Sequence, residues 1–218
     1  MKNRTCRWRR GARHLLAALL VASAGWPGHD ARAAASEPAG TVDQFHAVLL
    51  DVMREADVLG YAGRRERIEP VVLDSFDLGY IARLLVRQSW DGLPESQRER
   101  MRQLFSELTV ATYARRFDGY SGQSFVTTGV SEVRGGRRLV STELRAPGKV
   151  PIRIDYLLQR PDGQQEAVWR IVNVIADGVS ELALKKSEYA TIIKGQGFDA
   201  LLQQLEGQVR RLEEGPST

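Results

Sequence analysis

Cysteine is almost absent from the 218 residues: Cys6 is the only one, so the chain cannot close an internal disulfide or build a thiolate metal cluster. Histidine is nearly as scarce, and of His14, His29 and His46 only the last lies beyond the first 33 residues. A serine hydrolase triad would have to use His46. Neither Gly119-Tyr120-Ser121-Gly122 nor Gly178-Val179-Ser180-Glu181 has nucleophile-elbow spacing, and no phosphate-binding loop is present. The sequence also has no apolar run near the roughly 20 residues that cross a bilayer as a helix.

The N-terminus accounts for the basic character of the whole. Lys2, Arg4, Arg7, Arg9, Arg10 and Arg13 precede a short apolar run, Leu15 to Ala24, and Ala31-Arg32-Ala33 offers a small-x-small cleavage pattern. That order predicts a signal peptide over residues 1–33 and an exported protein. Cys6 lies ahead of the apolar run, where it cannot serve as a lipoprotein anchor. Residues 1–33 hold seven of the 31 Lys/Arg and one of the 27 Asp/Glu, which leaves 24 bases against 26 acids in the remaining 185 residues. A net charge of −2 gives no footprint for nucleic acid. Residues 34–40 read as a disordered tether, 41–213 as one domain and 214–218 as a tail.

Beyond the tether the apolar period is helical. Val42, Phe45, Val48, Leu49, Val52 and Met53 form one stripe, with Thr41 and Gln44 as a capping box and Gly60 and Gly63 as breakers. A second helix runs from Arg64 to about Phe76 across Pro70, and Asp77 caps a third, short one carrying Leu78, Ile81, Leu84 and Leu85. After a turn at 88–93, Pro94 opens a long helix with Met101, Leu104, Phe105, Leu108 and Ala111 on one side, ending near Phe117. The period then becomes two. Strands are expected over 125–134, 137–145, 150–158 and 166–176, the first pair joined at Gly135-Gly136 and the last at Pro161-Asp162-Gly163. Two helices, 181–193 and 198–212, close the chain. This order predicts an α+β domain in which helices pack on one face of a curved, four-stranded antiparallel meander, a cone like that of nuclear transport factor 2.

On such a frame the residues alone leave three functions open. Glu143 and Asp155 fall on strands, where an inward acid could serve an isomerase as its base, although alternation with Ile154 and Tyr156 turns Asp155 towards solvent. Apolar residues at Leu104, Leu108, Ile152, Ile154, Tyr156, Trp169, Ile171 and Ile175 fit a solid core as well as a ligand cavity. A domain with a closed core would be an interaction module.

The segment from Trp169 to Leu182, WRIVNVIADGVSEL, with Lys186-Ser187-Glu188-Tyr189 and Gly197-Phe198-Asp199-Ala200-Leu201 after it, resembles the MlaC or toluene-tolerance auxiliary family of periplasmic lipid carriers. Asp74-Ser75-Phe76-Asp77 and Ser89-Trp90 extend the likeness, which runs from Thr41 to Leu212. Asp118 to Gly122 and Ser180 to Tyr189 are most similar to the hopanoid-associated HpnM branch. Asn173 stands where the family more often has aspartate, and Val172 where tyrosine is frequent. The resemblance implies a carrier rather than an enzyme, without cofactor or metal. It would shuttle phospholipid or hopanoid between an inner-membrane transport complex and an outer-membrane lipoprotein complex, in the service of outer-membrane asymmetry. A lipid pocket is then expected between sheet and helices, lined by Leu104, Leu108, Tyr113, Ile152, Ile154, Tyr156, Trp169, Ile171 and Ile175. Arg153 and Lys185 are the cations expected near a head group.

Overall fold

The computed structural model describes residues 37–160 and 168–215. The expected leader, residues 34–36 of the tether, the Pro161-Asp162-Gly163 turn and residues 216–218 lie outside them.

Proline sets where the first helix begins. α1 (Pro38–Arg54) starts at Pro38, whose fixed φ suits a first helical position, so residues 38–40 are helix and not tether. The expected capping box does not form, because Thr41 lies inside the helix and its Oγ1 donates to the Trp169 carbonyl at 3.1 Å. Val42, Phe45, Leu49 and Val52 are fully buried along one stripe. α2 (Ala56–Ser75) is kinked at Gly60, with φ 58° and ψ −173°, a backbone conformation that essentially only glycine adopts. Gly63, expected as a second breaker, lies within helix. Arg64 braces the kink: its Nη1 donates to the Ala56 carbonyl before the break (3.1 Å) and its Nε to the Ala114 carbonyl of another helix (2.9 Å).

α3 (Leu78–Leu85) is capped as expected, with Asp77 Oδ1 accepting from the Tyr80 amide at 3.0 Å. A single helical turn, α4 (Arg87–Trp90), occupies part of the expected turn. α5 (Glu95–Arg116) buries Met101, Leu104, Phe105, Leu108 and Ala111, and Pro94 sits at its N-cap.

The sheet has five strands, one more than expected: β1 (Ser124–Val133), β2 (Arg137–Arg145), β3 (Ile152–Gln159), β4 (Arg170–Ala176) and β5 (Val179–Ser180), antiparallel and in sequential order. β5 is two residues long, too short to show a period, and it folds back on β4 through Asp177 (φ 47°) and Gly178 (φ 83°). β4 carries a bulge. Leu157 pairs with Asn173 while Leu158 pairs with Ile171, which leaves Val172 as an extra residue and shifts the phase of the strand.

α6 (Glu181–Gln196) and α7 (Phe198–Glu214) meet at Gly197. α1 packs on β1 and β2, and α2, α3 and α6 on β4; α5 lies across α2, α3 and α7. The domain is α+β with its helices on one side of a curved antiparallel sheet. Without a disulfide, cohesion comes from burial, at about 1.5–3 kcal/mol for each large side chain such as Phe45, Met101, Leu158, Ile171 and Leu205.

Candidate functional site

Packing between sheet and helices is not complete. A cavity of about 190 Å³ remains between β3, β4, α3, α5 and α6. Strand register explains its floor: Ile154 pairs with Ala176 and Tyr156 with Val174, so these four side chains share the helix-facing side, joined by the bulged Val172. α5 supplies one wall through Phe105, Leu108, Thr109, Thr112, Tyr113 and Arg116, a continuous run at helical spacing. Leu78, Ile81 and Leu85 of α3 close a second side, and Leu182 of α6 a third. Only two turns long, α3 cannot cover the whole floor.

Aromatic rings support the inner end. Phe45 meets Phe76 edge to face at 5.3 Å and Tyr113 at 5.1 Å, and Tyr113 stacks on Phe117 at 5.8 Å. Tyr113 is enclosed by protein, yet part of its surface is free, because that surface faces the cavity. Behind Tyr156 lies His46, whose Nε2 shares a 2.9 Å hydrogen bond with the phenol oxygen and whose ring stacks on Phe125 with centroids 3.8 Å apart.

Burial fixes the charge state of this end. Desolvation pulls the His46 imidazole down to about 3, and it pushes the phenols of Tyr113 and Tyr156 up. All three are neutral at neutral pH. The inner cavity is thus uncharged, with a few hydroxyls, and it suits hydrocarbon.

Charge collects instead where α5 ends and α6 begins. Arg116 is exposed and Glu181 and Lys185 are half-buried, and all three border the cavity. α6 is held there by its caps: Ser180 Oγ accepts from the Ala183 amide at 3.1 Å, and Asn173 Oδ1 from the Leu182 amide at 3.2 Å. Asn173 Nδ2 also donates to Ser180 Oγ at 3.0 Å. Asn173 therefore has a polar role, and it is the acceptor role an aspartate would fill.

Of the residues expected from sequence, Leu108, Tyr113, Ile154 and Tyr156 line the cavity. The other five do not. Leu104 and Ile171 are fully buried, Ile171 against Leu158 and beside Phe76. Trp169 is walled off at the far end of the sheet, its ring covered by the guanidinium groups of Arg138 and Arg160. Ile152 shares the side of Ile154 but lies at the strand end and is 43% exposed. Ile175 pairs with Asp155 on the opposite side, because the bulge at Val172 reverses the alternation that placed it inward. Sequence reasoning missed Phe76, Val172, Val174, Ala176 and Phe117. The stripe of α3 was visible, and its place over the floor was not.

The cations divide likewise. Lys185 borders the cavity, whereas Arg153 lies on the outer side, paired with Asp155 at 2.9 Å. Asp155 is not turned to water as alternation suggested: Arg153 covers it and it is buried. Glu143 pairs with Arg145 at 2.8 Å. Neither strand acid reaches the cavity, and among the described residues its one carboxylate is Glu181.

An α+β shell around a partly unfilled apolar chamber is the architecture of a ligand-holding domain. Residues 43–207 match the MlaC protein family, and the chain belongs to that family. Its fold is similar to that of a phospholipid-binding protein from Ralstonia solanacearum, solved in complex with a phospholipid, with a TM-score of 0.68 at 16% identity. The match covers 79% of this chain and 97% of that one.

Proposed function

We propose that this protein is a carrier that holds phospholipid tails in the cavity between β3, β4, α3, α5 and α6. The observation that carries the reading is the cavity itself: apolar and aromatic, uncharged at its inner end, with its charged groups at the end of α5 and the start of α6. Each methylene removed from water contributes about 0.8 kcal/mol, so a short stretch of acyl chain inside already retains a lipid. Family membership and the bound phospholipid of the Ralstonia protein support the same class of ligand.

Export to the periplasm and exchange between inner-membrane and outer-membrane complexes complete the proposal, supported by the leader over residues 1–33 and by the family. The HpnM-like segments favour a hopanoid as the alternative cargo. An isomerase reading finds less support, since Glu143 and Asp155 lie on the outer side of the sheet and His46 is buried behind Tyr156. Native purification followed by organic extraction and mass analysis tests the carrier reading: phospholipid is expected to leave with the protein, hopanoid would name the other cargo, and clean protein would refute both.

A further inference from the structure

Three charged side chains border the cavity, Arg116 at the end of α5 and Glu181 and Lys185 on the first turns of α6. Among the described residues none of the three makes an ion pair or a side-chain hydrogen bond. The other arginines of α5 are engaged, Arg98, Arg100 and Arg102 with glutamates and Arg115 with the Leu212 carbonyl. Glu181 and Lys185 are four apart with the acid N-terminal, the favoured order for a helical pair, yet they do not join. Arg116 and Glu181 line the cavity together with Tyr113. Two cations and one anion without ion-pair partners therefore border an otherwise largely apolar chamber.

We propose that Arg116 and Lys185 receive the phosphodiester, and Glu181 the primary ammonium, of a zwitterionic aminophospholipid head group. This rests on the carrier reading above and names the lipid class. Guanidinium and ammonium donors match phosphate oxygens, and the guanidinium can do so through two parallel bonds. A carboxylate beside them would repel a purely anionic head group and pair with one that carries its own cation. Tails supply retention and the charged trio supplies choice, so the selectivity is modest: a half-exposed ion pair gives about a two- to fivefold preference. Glu181 also favours the N-terminus of α6 as an acid in its first turn, and a purely structural role of that kind would leave the choice of lipid unchanged.

The test is the head-group composition of lipid extracted from the full-length protein, expressed with its leader in a host whose envelope contains both phosphoethanolamine and phosphoglycerol lipids. The wild type is expected to carry phosphoethanolamine lipid about two- to fivefold above its share of the host membrane. Glu181→Gln should return the ratio to that of the membrane, and Glu181→Lys should invert it towards phosphoglycerol. Arg116→Gln with Lys185→Gln removes partners of a phosphate that both classes share and leaves Glu181 to repel the anionic class, so the phosphoethanolamine preference should hold or rise; a fall would contradict the assigned roles. If the wild type and Glu181→Lys carry both classes in membrane proportion, the head-group inference is overturned while the carrier reading stands. If no variant carries lipid, both fall.

Discussion

His46 joins chemistry to stability at a single position. Its ring is buried, stacked on Phe125 and bonded to Tyr156, and burial lowers its pKa to about 3. The unfolded chain gains that proton near the ordinary value of 6.5, whereas the folded chain resists until about 3. Above 6.5 both states are neutral and the group contributes nothing to pH dependence; as pH falls from 6.5 towards 3 it destabilises the fold progressively. By about pH 4.5 the loss should be roughly 2–3 kcal/mol. Urea unfolding at neutral pH and at about pH 4.5 measures it. In His46→Gln, which can still bond Tyr156, that part of the acid sensitivity should vanish; an unchanged pH profile would show that the imidazole titrates freely.

At the scale of elements, two joints decide the geometry. Gly60 kinks α2 with a backbone that a side chain cannot adopt without strain, although an added Cβ would meet nothing within 4 Å. Gly60→Ala should therefore cost about 1–3 kcal/mol through backbone strain alone, read as a lowered thermal midpoint; an unchanged midpoint would mean that the kink is not required. The second joint is the start of α6, where Asn173 accepts from the Leu182 amide and binds Ser180. Asn173→Asp keeps that acceptor at a helix N-terminus and should change stability by less than about 0.5 kcal/mol. Asn173→Leu should cost about 1–2 kcal/mol, and equal effects of the two would contradict the capping role. These joints also mark the limit of what the sequence discloses. The long stripes of α1 and α5 and the hairpin at Gly135-Gly136 are legible because each repeats over several turns or ends in a glycine pair. Pro38 as a helix start and the two-residue β5 leave too short a signal. The bulge at Val172 is invisible to a period-two reading, and it alone moves Ile175 out of the site and Val174 and Ala176 into it.

For the whole molecule, the question is why folding leaves a space that packing would ordinarily close. Empty volume costs stability, and a chain of this size could fill it with larger side chains. Ala176 opposite Ile154 on the floor, and the brevity of α3 above it, keep the chamber open. Sequence periodicity could identify the four cavity residues Leu108, Tyr113, Ile154 and Tyr156 as inward, but a core residue and a cavity residue share the same pattern. The difference lies in what the opposing element fails to reach, and that is a property of tertiary structure.

Filling the chamber separates carriage from folding. In Ala176→Trp the indole enters space already present, so strain should be small and the thermal midpoint should stay within a few degrees of the parent. The decisive measurement is moles of extractable phospholipid per mole of natively purified protein, wild type beside Ala176→Trp. A wild type that carries lipid and a folded variant that has lost most of it are the predicted result. A folded Ala176→Trp with the full wild-type load, or a wild type with none, would contradict the claim that this cavity carries lipid.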